Sequence, residues 1–119
     1  MPARAARRSS PILAELAGFG RNTCALNLTD PSPDGAIEAR AMQLALASAG
    51  MPPEEVDYVA AHGTSTQKND RVEAMAIHQV FGARAASGQV LVSSNKAQFG
   101  HTISGAAVTN AVSAVMAMR

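Results

Sequence analysis

The sequence predicts an α/β fold with a predominantly parallel sheet, because short apolar runs alternate with segments of helical periodicity. The order along the 119 residues is strand, helix, strand, helix, strand, helix. Each of the last two predicted strands ends in a polar turn that contains glycine and a histidine or lysine. Since open α/β sheets keep their ligands at the carboxyl ends of their strands, these turns are also where we expect a site.

The first strand is predicted at Pro11–Phe19, a weakly alternating run that ends in a Gly-Phe-Gly sequence. The segment 29–35 contains so many turn-forming residues that we predict an exposed loop. Apolar residues then recur at helical spacing over Ala36–Ala49, and Gly50 supplies the stop. This is the first predicted helix.

The second and third strands are predicted at 56–61 and 89–94, where valine and other β-forming residues cluster. Between them we predict a helix over 70–81, with Asn69 or Asp70 as its N-cap. The pattern is therefore a β-α-β unit with parallel strands.

The remaining elements are a loop over 83–88, a polar turn over 95–101 and a closing helix over 104–118. The closing helix is apolar nearly all round, so it must be buried inside a larger domain or against a partner. A layered sheet of this length also has few strands with which to cover both faces. Both features indicate part of a larger fold.

Composition excludes several classes of function. The net charge is +1, and the chain has one Tyr, three Phe and no Trp, so neither the charge nor the aromatic content of a nucleic-acid-binding protein is present. A single cysteine, Cys24, excludes an internal disulfide, and no apolar run approaches the roughly 18 residues of a membrane span. We expect a cytoplasmic protein without nucleic-acid or membrane partners.

The first ten residues form a separate segment in the sequence. They are rich in arginine and serine and lack acidic residues, which is compatible with a transit-type extension, but no apolar region follows. We interpret 1–10 as a basic leader or linker and 11–119 as the folded domain.

Three side chains at the predicted strand ends are candidates for chemistry. His62 follows the second strand, and Lys96 and His101 follow the third. Each alone has a structural interpretation as a hydrogen-bonded or surface residue. Because the ends of parallel strands lie at one edge of the sheet, we expect all three to converge on one crevice.

Other candidates are weaker. His78 lies inside a predicted helix, which favours a packing or surface role. Cys24 has no following helix N-terminus that would lower the thiol pKa, so we predict a structural thiol. A metal site formed by His62, His101 and Asp70 lacks any ligand pair at i, i+4 spacing, and we predict none.

Two motifs resemble those of a known family. His-Gly-Thr-Ser-Thr at 62–66, followed by Asp70 and Glu73, is similar to the first histidine element of the β-ketoacyl synthases. Ser-Ser-Asn-Lys at 93–96, followed by Gly-His at 100–101, resembles their second histidine element. The resemblance covers nearly the whole chain from Pro11, and it implies a partial thiolase-like fold, a three-layer αβα arrangement with a mostly parallel or mixed sheet.

The resemblance also implies a reaction. In this family a cysteine accepts an acyl group from a carrier thioester, and a decarboxylating malonyl thioester supplies the carbanion that attacks it. By resemblance His62 and His101 assist decarboxylation and condensation, and Lys96 supports the second histidine. Thr64 and Thr66 match hydroxyls that bind the phosphopantetheine arm of an acyl carrier protein. No bound cofactor is implied.

The departures from the family pattern shape the remaining expectations. Nothing in the chain matches the nucleophilic cysteine, so the resemblance implies a partner half or subunit that carries it, in a homo- or heterodimer. Asn110 stands where the family commonly has a glutamate, and we group it with Asp70 and Glu73 as supporting residues. The alternatives are a non-catalytic fragment, a chain-length-factor-like subunit, or a module that binds the acyl carrier. The pathway, fatty acid or polyketide, stays open.

Overall fold

The computed structural model describes residues 11–26 and 30–118. The leader predicted at 1–10 lies outside the described residues. In chain order the elements are helix α1 (Ala36–Ala49), a 3₁₀ turn (Pro53–Glu55), strand β1 (Tyr58–Ala60), helix α2 (Gln67–Phe81), helix α3 (Ala83–Ala86), strand β2 (Leu91–Ser93), helix α4 (Lys96–Phe99), a second 3₁₀ turn (Ile103–Gly105) and helix α5 (Ala106–Ala117).

The sheet in the described part of the chain consists of β1 and β2, which pair in parallel. Tyr58 lies opposite Leu91, and Ala60 lies opposite Ser93. A parallel pair needs a crossover, which α2 provides. The predicted β-α-β alternation is confirmed, and the chain has a partial αβα fold.

The core lies between α2 and the sheet. Its buried members are Ile77 and Phe81 from α2 and Val90, which precedes β2. Partly buried apolar residues surround them: Met42, Leu46, Val56, Val59, Val80 and Ala85. Because α1 contributes two of these residues, it is held against α2 and fixes the position of the crossover helix.

Helix α1 has the bounds that its sequence predicts. It ends at Gly50, which adopts the left-handed conformation with φ of 64°. At its start the Asp34 carboxylate accepts a hydrogen bond from the Ala36 N–H at 3.1 Å, and the Ser32 hydroxyl accepts one from the Ile37 N–H at 3.3 Å. The turn formers of the preceding loop thus satisfy the first free N–H groups of the helix.

The prediction of a strand at Pro11–Phe19 is wrong. This segment has no regular structure and lies along α1. A Cβ on Gly18 would lie 2.6 Å from the Ala45 carbonyl oxygen, so the backbones touch. A strand needs a neighbouring backbone with free donors and acceptors, whereas the backbone of a helix satisfies itself. Contacts with the helix take the place of strand-to-strand hydrogen bonds. For example, Asn22 Nδ2 donates to the Ile37 carbonyl at 2.8 Å.

Helix α2 begins three residues earlier than predicted, with Thr66 at the N-cap position. Asn69 and Asp70 therefore lie in the first turn and cap nothing. The Asp70 carboxylate instead accepts a hydrogen bond from the Ser65 N–H at 3.2 Å. The predicted loop at 83–88 begins with helix α3, and the predicted turn at 95–101 contains helix α4.

The closing helix exposes its apolar side. Val108, Val112 and Met116, spaced by four residues, are 65%, 58% and 59% exposed. The residues that the structure describes therefore leave this apolar side of the helix uncovered. Among those residues, no helix is both long enough and apolar enough to cross a bilayer.

Candidate active site

The two turns that follow the parallel strands bring His62 and His101 together. Their ring centroids lie 5.1 Å apart, and the ring planes meet edge to face at 82°. His62 comes directly after the end of β1, and His101 follows α4 on the chain leaving β2. Both side chains are exposed, so the pair opens to the outside of the described chain.

A carboxylate from α2 holds the first turn in place. Glu73 accepts hydrogen bonds from the backbone N–H of His62, at 2.6 Å, and of Gly63, at 2.8 Å. Asn69 Nδ2 donates to the same carboxylate at 3.4 Å. Hydrogen bonds to an ionised acceptor are the stronger kind. Glu73 thus fixes the backbone from which the His62 ring projects.

The Ser94 hydroxyl connects the two turns. It lies 3.1 Å from the Gly63 carbonyl and 3.3 Å from the His62 carbonyl, and it is close enough to accept from the Lys96 N–H at 3.3 Å. Gly63 has φ of 46°, and a Cβ there would lie 2.5 Å from Ser94 Cβ. The second turn therefore packs on the backbone of the first, and only a glycine fits between them.

One contact selects the tautomer of the neutral His101 ring. The Ile103 N–H donates to Nδ1 of His101 at 3.1 Å. Since Nδ1 accepts this hydrogen bond, the proton of the neutral ring is on Nε2. His101 therefore presents an N–H donor on the side of the ring away from its own turn.

Lys96 lies close enough to His62 for its charge to act on that ring. Its Nζ is inaccessible to solvent and has no hydrogen-bond partner among the described residues. Burial lowers the pKa of His62 below its ordinary value of 6.5, the Lys96 ammonium lowers it further, and Glu73 partly opposes the shift. The lowered pKa favours the neutral imidazole near pH 7.

Asn110 ties helix α5 to the end of β1. Its Nδ2 donates to the carbonyls of Ala60, at 3.3 Å, and Ala61, at 3.0 Å. This amide supports the strand end that carries His62. An amide that donates to backbone carbonyls supplies no carboxylate for the Lys96 ammonium.

Thr64 and Thr66 line a cleft of about 550 Å³ together with His62. Their hydroxyls are 3.0 Å apart and hydrogen-bonded to each other. A ligand that reaches His62 through this cleft passes both hydroxyls. The cleft therefore offers two adjacent groups that can donate or accept.

The weaker candidates lie elsewhere. His78 is exposed on α2, and Cys24 is half-buried with its Sγ 4.0 Å from the Asp30 carbonyl oxygen. Neither lines the cleft at His62. In the described ranges no group of three or more His, Cys, Asp or Glu side chains is placed to hold a metal ion.

Sequence reasoning missed the connecting role of Ser94 and the true partners of Asn110. Ser94 was visible only as a second serine before Asn95 and Lys96. Its function depends on how close the two turns come, which no local pattern encodes.

Removal of the Lys96 charge gives a direct test of its action on His62. In Lys96→Met we expect the pKa of His62 to rise toward its ordinary value, because one of the causes that lower it is gone. The His62 imidazole signals, followed by NMR against pH, measure the shift, and the exposed His78 serves as the internal reference. An unchanged His62 midpoint would contradict the placement of the ammonium.

The fold and the strand-end histidines define a thiolase-like αβα protein, and comparison with known sequences gives the family. Residues 13–119 match the family model "Beta-ketoacyl synthase, C-terminal domain". The chain belongs to the β-ketoacyl synthase family and corresponds to its carboxy-terminal domain.

Individual relatives include a 3-oxoacyl-[acyl-carrier-protein] synthase and a nodulation protein. The chain is 41% identical over 114 residues to a mitochondrial 3-oxoacyl-[acyl-carrier-protein] synthase of Arabidopsis thaliana, a match that spans 96% of this chain and 25% of the relative. It is 42% identical over 115 residues to nodulation protein E of Rhizobium sp. strain N33, covering 97% of this chain and 28% of the relative. The chain thus spans about a quarter of the length of these relatives.

Solved structures show the same fold. A β-ketoacyl synthase from Burkholderia phymatum STM815 superposes with a TM-score of 0.85 at 36% identity, over 96% of this chain and 26% of that one. A type II PKS acyl-carrier protein in complex with its ketosynthase gives a TM-score of 0.88 at 35% identity, over 96% of this chain and 28% of the matched one.

Proposed function

We propose that this chain supplies the His/His/Lys side of the active site of a β-ketoacyl synthase. The reaction is the decarboxylative Claisen condensation of an acyl thioester with a malonyl-carrier thioester, in fatty acid or polyketide synthesis. The observation that carries the proposal is the 5.1 Å approach of His62 and His101 at the ends of two parallel strands. Family membership supports it.

The histidines act on the decarboxylation step. When the malonyl thioester loses CO₂, the electron pair of the broken C–C bond passes into the thioester as an enolate. Two neutral imidazoles that donate hydrogen bonds to the enolate oxygen stabilise the charge where it develops. The Nε2 proton of His101 follows from its contact with Ile103, and the lowered pKa of His62 favours its neutral form.

The condensation step needs a thiolate that this chain does not place at the cleft. The enolate carbon attacks the carbonyl of an acyl group held on a cysteine, the new C–C bond forms, and the cysteine sulfur leaves as thiolate. Cys24 is half-buried and does not line the cleft of His62. We therefore assign the nucleophile to a cysteine-bearing half or subunit. That partner would also cover the exposed apolar face of α5.

The substrates reach the site on a flexible arm. Thr64 and Thr66 line the cleft that leads to His62, and their hydroxyls suit the amide groups of a phosphopantetheine arm. The arm belongs to an acyl carrier protein and is a substrate group, so the domain itself needs no bound cofactor. One structural relative was solved as a ketosynthase with its acyl carrier protein, which supports this partner.

A non-catalytic, chain-length-factor-like role is the second candidate. It is favoured by Lys96, whose ammonium has no partner in the described residues, and by Asn110, which bonds strand carbonyls. One structural relative is a ketosynthase in complex with its chain length factor. The retained histidine pair favours the catalytic role.

The isolated 119-residue chain is expected to show no acyl transfer and no malonyl decarboxylation above background. The physical reason is that acyl transfer in this mechanism requires the thiolate, and decarboxylation requires a closed site around the enolate. Release of labelled CO₂ from a malonyl-carrier thioester measures this. Steady turnover by the isolated chain would show that the site is complete without a cysteine-bearing partner.

A further inference from the structure

Helix α5 has two polar side chains on the side that faces the rest of the chain. Asn110 and Ser113 are half-buried and three residues apart, so they lie on one side of the helix. Val108 and Val112 each lie two residues from Asn110, about 200° around the helix, and both are exposed. A half-buried polar side chain on an apolar helix needs a hydrogen-bond partner to offset its desolvation. The partners of Asn110 and Ser113 therefore show what α5 holds in place.

Each of the two side chains contacts a different histidine turn. Nδ2 of Asn110 donates to the two backbone carbonyls that precede His62, at 3.3 and 3.0 Å. Ser113 Oγ accepts a hydrogen bond of 2.9 Å from Nδ2 of Asn95, at the start of the turn that leads to His101. The two contacts are about 4.5 Å apart along the helix axis, because an α-helix rises about 1.5 Å per residue. One turn of α5 thus connects the segments that carry both rings.

Asn95 also begins the short helix α4 that leads to His101. Its carbonyl accepts hydrogen bonds from the Gln98 N–H at 3.0 Å and the Phe99 N–H at 3.1 Å. The direction in which α4 leaves β2 therefore depends on how Asn95 is held. The contact between Asn95 and Ser113 closes a segment of the chain, and His101 lies within this segment. A shift of Asn95 would move the backbone that carries His101.

The contacts with α5 add to a contact that the two turns already make with each other. The paired strands fix where the turns begin, and Ser94 Oγ lies 3.1 Å from the Gly63 carbonyl. A single point of contact fixes a distance but lets the turns rotate about it. The contacts with α5 come from a separate element and restrict this rotation. The observed edge-to-face arrangement, with ring planes at 82°, depends on orientation as well as on distance.

We propose that Asn110, Asn95 and Ser113 are positioning residues, through which helix α5 sets the orientation of the two histidine rings. The inference rests on the proposed function, because that reaction needs both rings at one enolate oxygen. Neither Asn110 nor Ser113 lines the cleft at His62, so they act through the histidines and not on the substrate. Misplacement of a reacting group by about 1 Å can lower a rate by about 10².

The first test measures the approach of the two rings in the full 119-residue chain. With centroids 5.1 Å apart, the His62 and His101 rings are close enough for a nuclear Overhauser effect between their protons. We expect this signal in the unsubstituted chain and a clear loss of its intensity in Asn110→Ala and in Ser113→Ala. Ser113→Thr keeps the hydroxyl that accepts from Asn95, so it should retain the signal.

Thr109→Val is the matched control on the same helix. Thr109 is half-buried, and its hydroxyl lies 3.5 Å from the Gly105 carbonyl and 2.9 Å from the Ala106 carbonyl, both at the start of α5. The substitution removes a hydroxyl from α5 without releasing either histidine turn, so the signal between the rings should be unchanged. A loss as large as that in Ser113→Ala would indicate a general loosening of α5 and would overturn the positioning role.

The second test uses the enzyme reassembled from this chain and a cysteine-bearing half. In Ser113→Ala we expect kcat for CO₂ release to fall about three- to tenfold with KM unchanged, since one neutral hydrogen bond is lost away from the cleft. Asn110→Ala loses two contacts and should fall further, whereas Thr109→Val should retain full activity. The losses of Asn95→Ala and Ser113→Ala should not add in the double variant, because the two side chains share one contact. Additive losses would contradict their joint action.

The two measurements separate this inference from the proposed function. If Asn110→Ala and Ser113→Ala change neither the ring signal nor kcat, while His62→Ala and His101→Ala lose activity, the positioning role fails and the proposed function stands. If the ring signal falls as expected but the histidine variants keep full activity, the proposed function fails and α5 still orients the rings. A missing ring signal in the unsubstituted chain, or a fall in kcat without any change in the signal, also overturns the inference.

Discussion

Replacement of either histidine should abolish most of the condensing activity of an enzyme reassembled from this chain and a cysteine-bearing half. In His62→Ala or His101→Ala one of the two donors to the enolate oxygen is lost. Removal of one such donor lowers kcat by about 10² to 10³. The measurement is release of labelled CO₂ from a malonyl-carrier thioester, with condensation product quantified in parallel.

The histidine prediction has a matched control in the same chain. His78 is exposed on α2 and lines no part of the histidine cleft, so His78→Ala should retain full activity. The double variant His62→Ala/His101→Ala should lose less than the product of the two single losses, because residues that act as a unit are not additive. Near-normal decarboxylation in either single variant would show that the replaced histidine does not stabilise the enolate.

A large loss of stability is expected from Gly63→Ala. An alanine there must adopt φ near 46° and place its Cβ 2.5 Å from Ser94 Cβ and 2.9 Å from Ser94 Oγ. Left-handed strain contributes about 1–2 kcal/mol, and overpacking contributes about 1–3 kcal/mol more. We expect the free energy of unfolding in urea to fall by roughly 2–5 kcal/mol.

Gly88→Ala separates the backbone strain from the overpacking. Gly88 has φ of 75°, yet a Cβ there meets nothing within 4 Å, so only the backbone strain remains. That variant should lose about 1–2 kcal/mol. In Gly63→Ala, a second substitution Ser94→Gly removes the obstructing atoms and should recover part of the loss. If Gly63→Ala and Gly88→Ala cost the same, the contact between the two turns is not tight.

Much of the fold could be predicted because its signals are local. Helix α1 was predicted with its observed bounds, since its apolar spacing is regular and Gly50 ends it in the left-handed conformation. The parallel pairing of β1 and β2 followed from the β-α-β order. The approach of His62 to His101 was expected from the same order, because parallel strands end at one edge.

The errors have a common physical origin. The segment 11–19 alternates as a strand does, but its neighbour is helix α1, and the sequence of a segment does not say what lies beside it. Helices α3 and α4 have four residues each, too few to show a helical period. The partners of Asn110, the Ala60 and Ala61 carbonyls, could not be read from its position in the sequence. Each of these features depends on contacts between residues far apart in the sequence.

The central claim is that this chain forms one side of a condensing site whose nucleophile comes from elsewhere. The most direct measurement is co-expression of the unsubstituted chain with a cysteine-bearing ketosynthase half, followed by assay of CO₂ release and β-ketoacyl product. We expect product only when both parts are present. A stable complex of the two parts that binds the malonyl-carrier thioester but releases no CO₂ would contradict it.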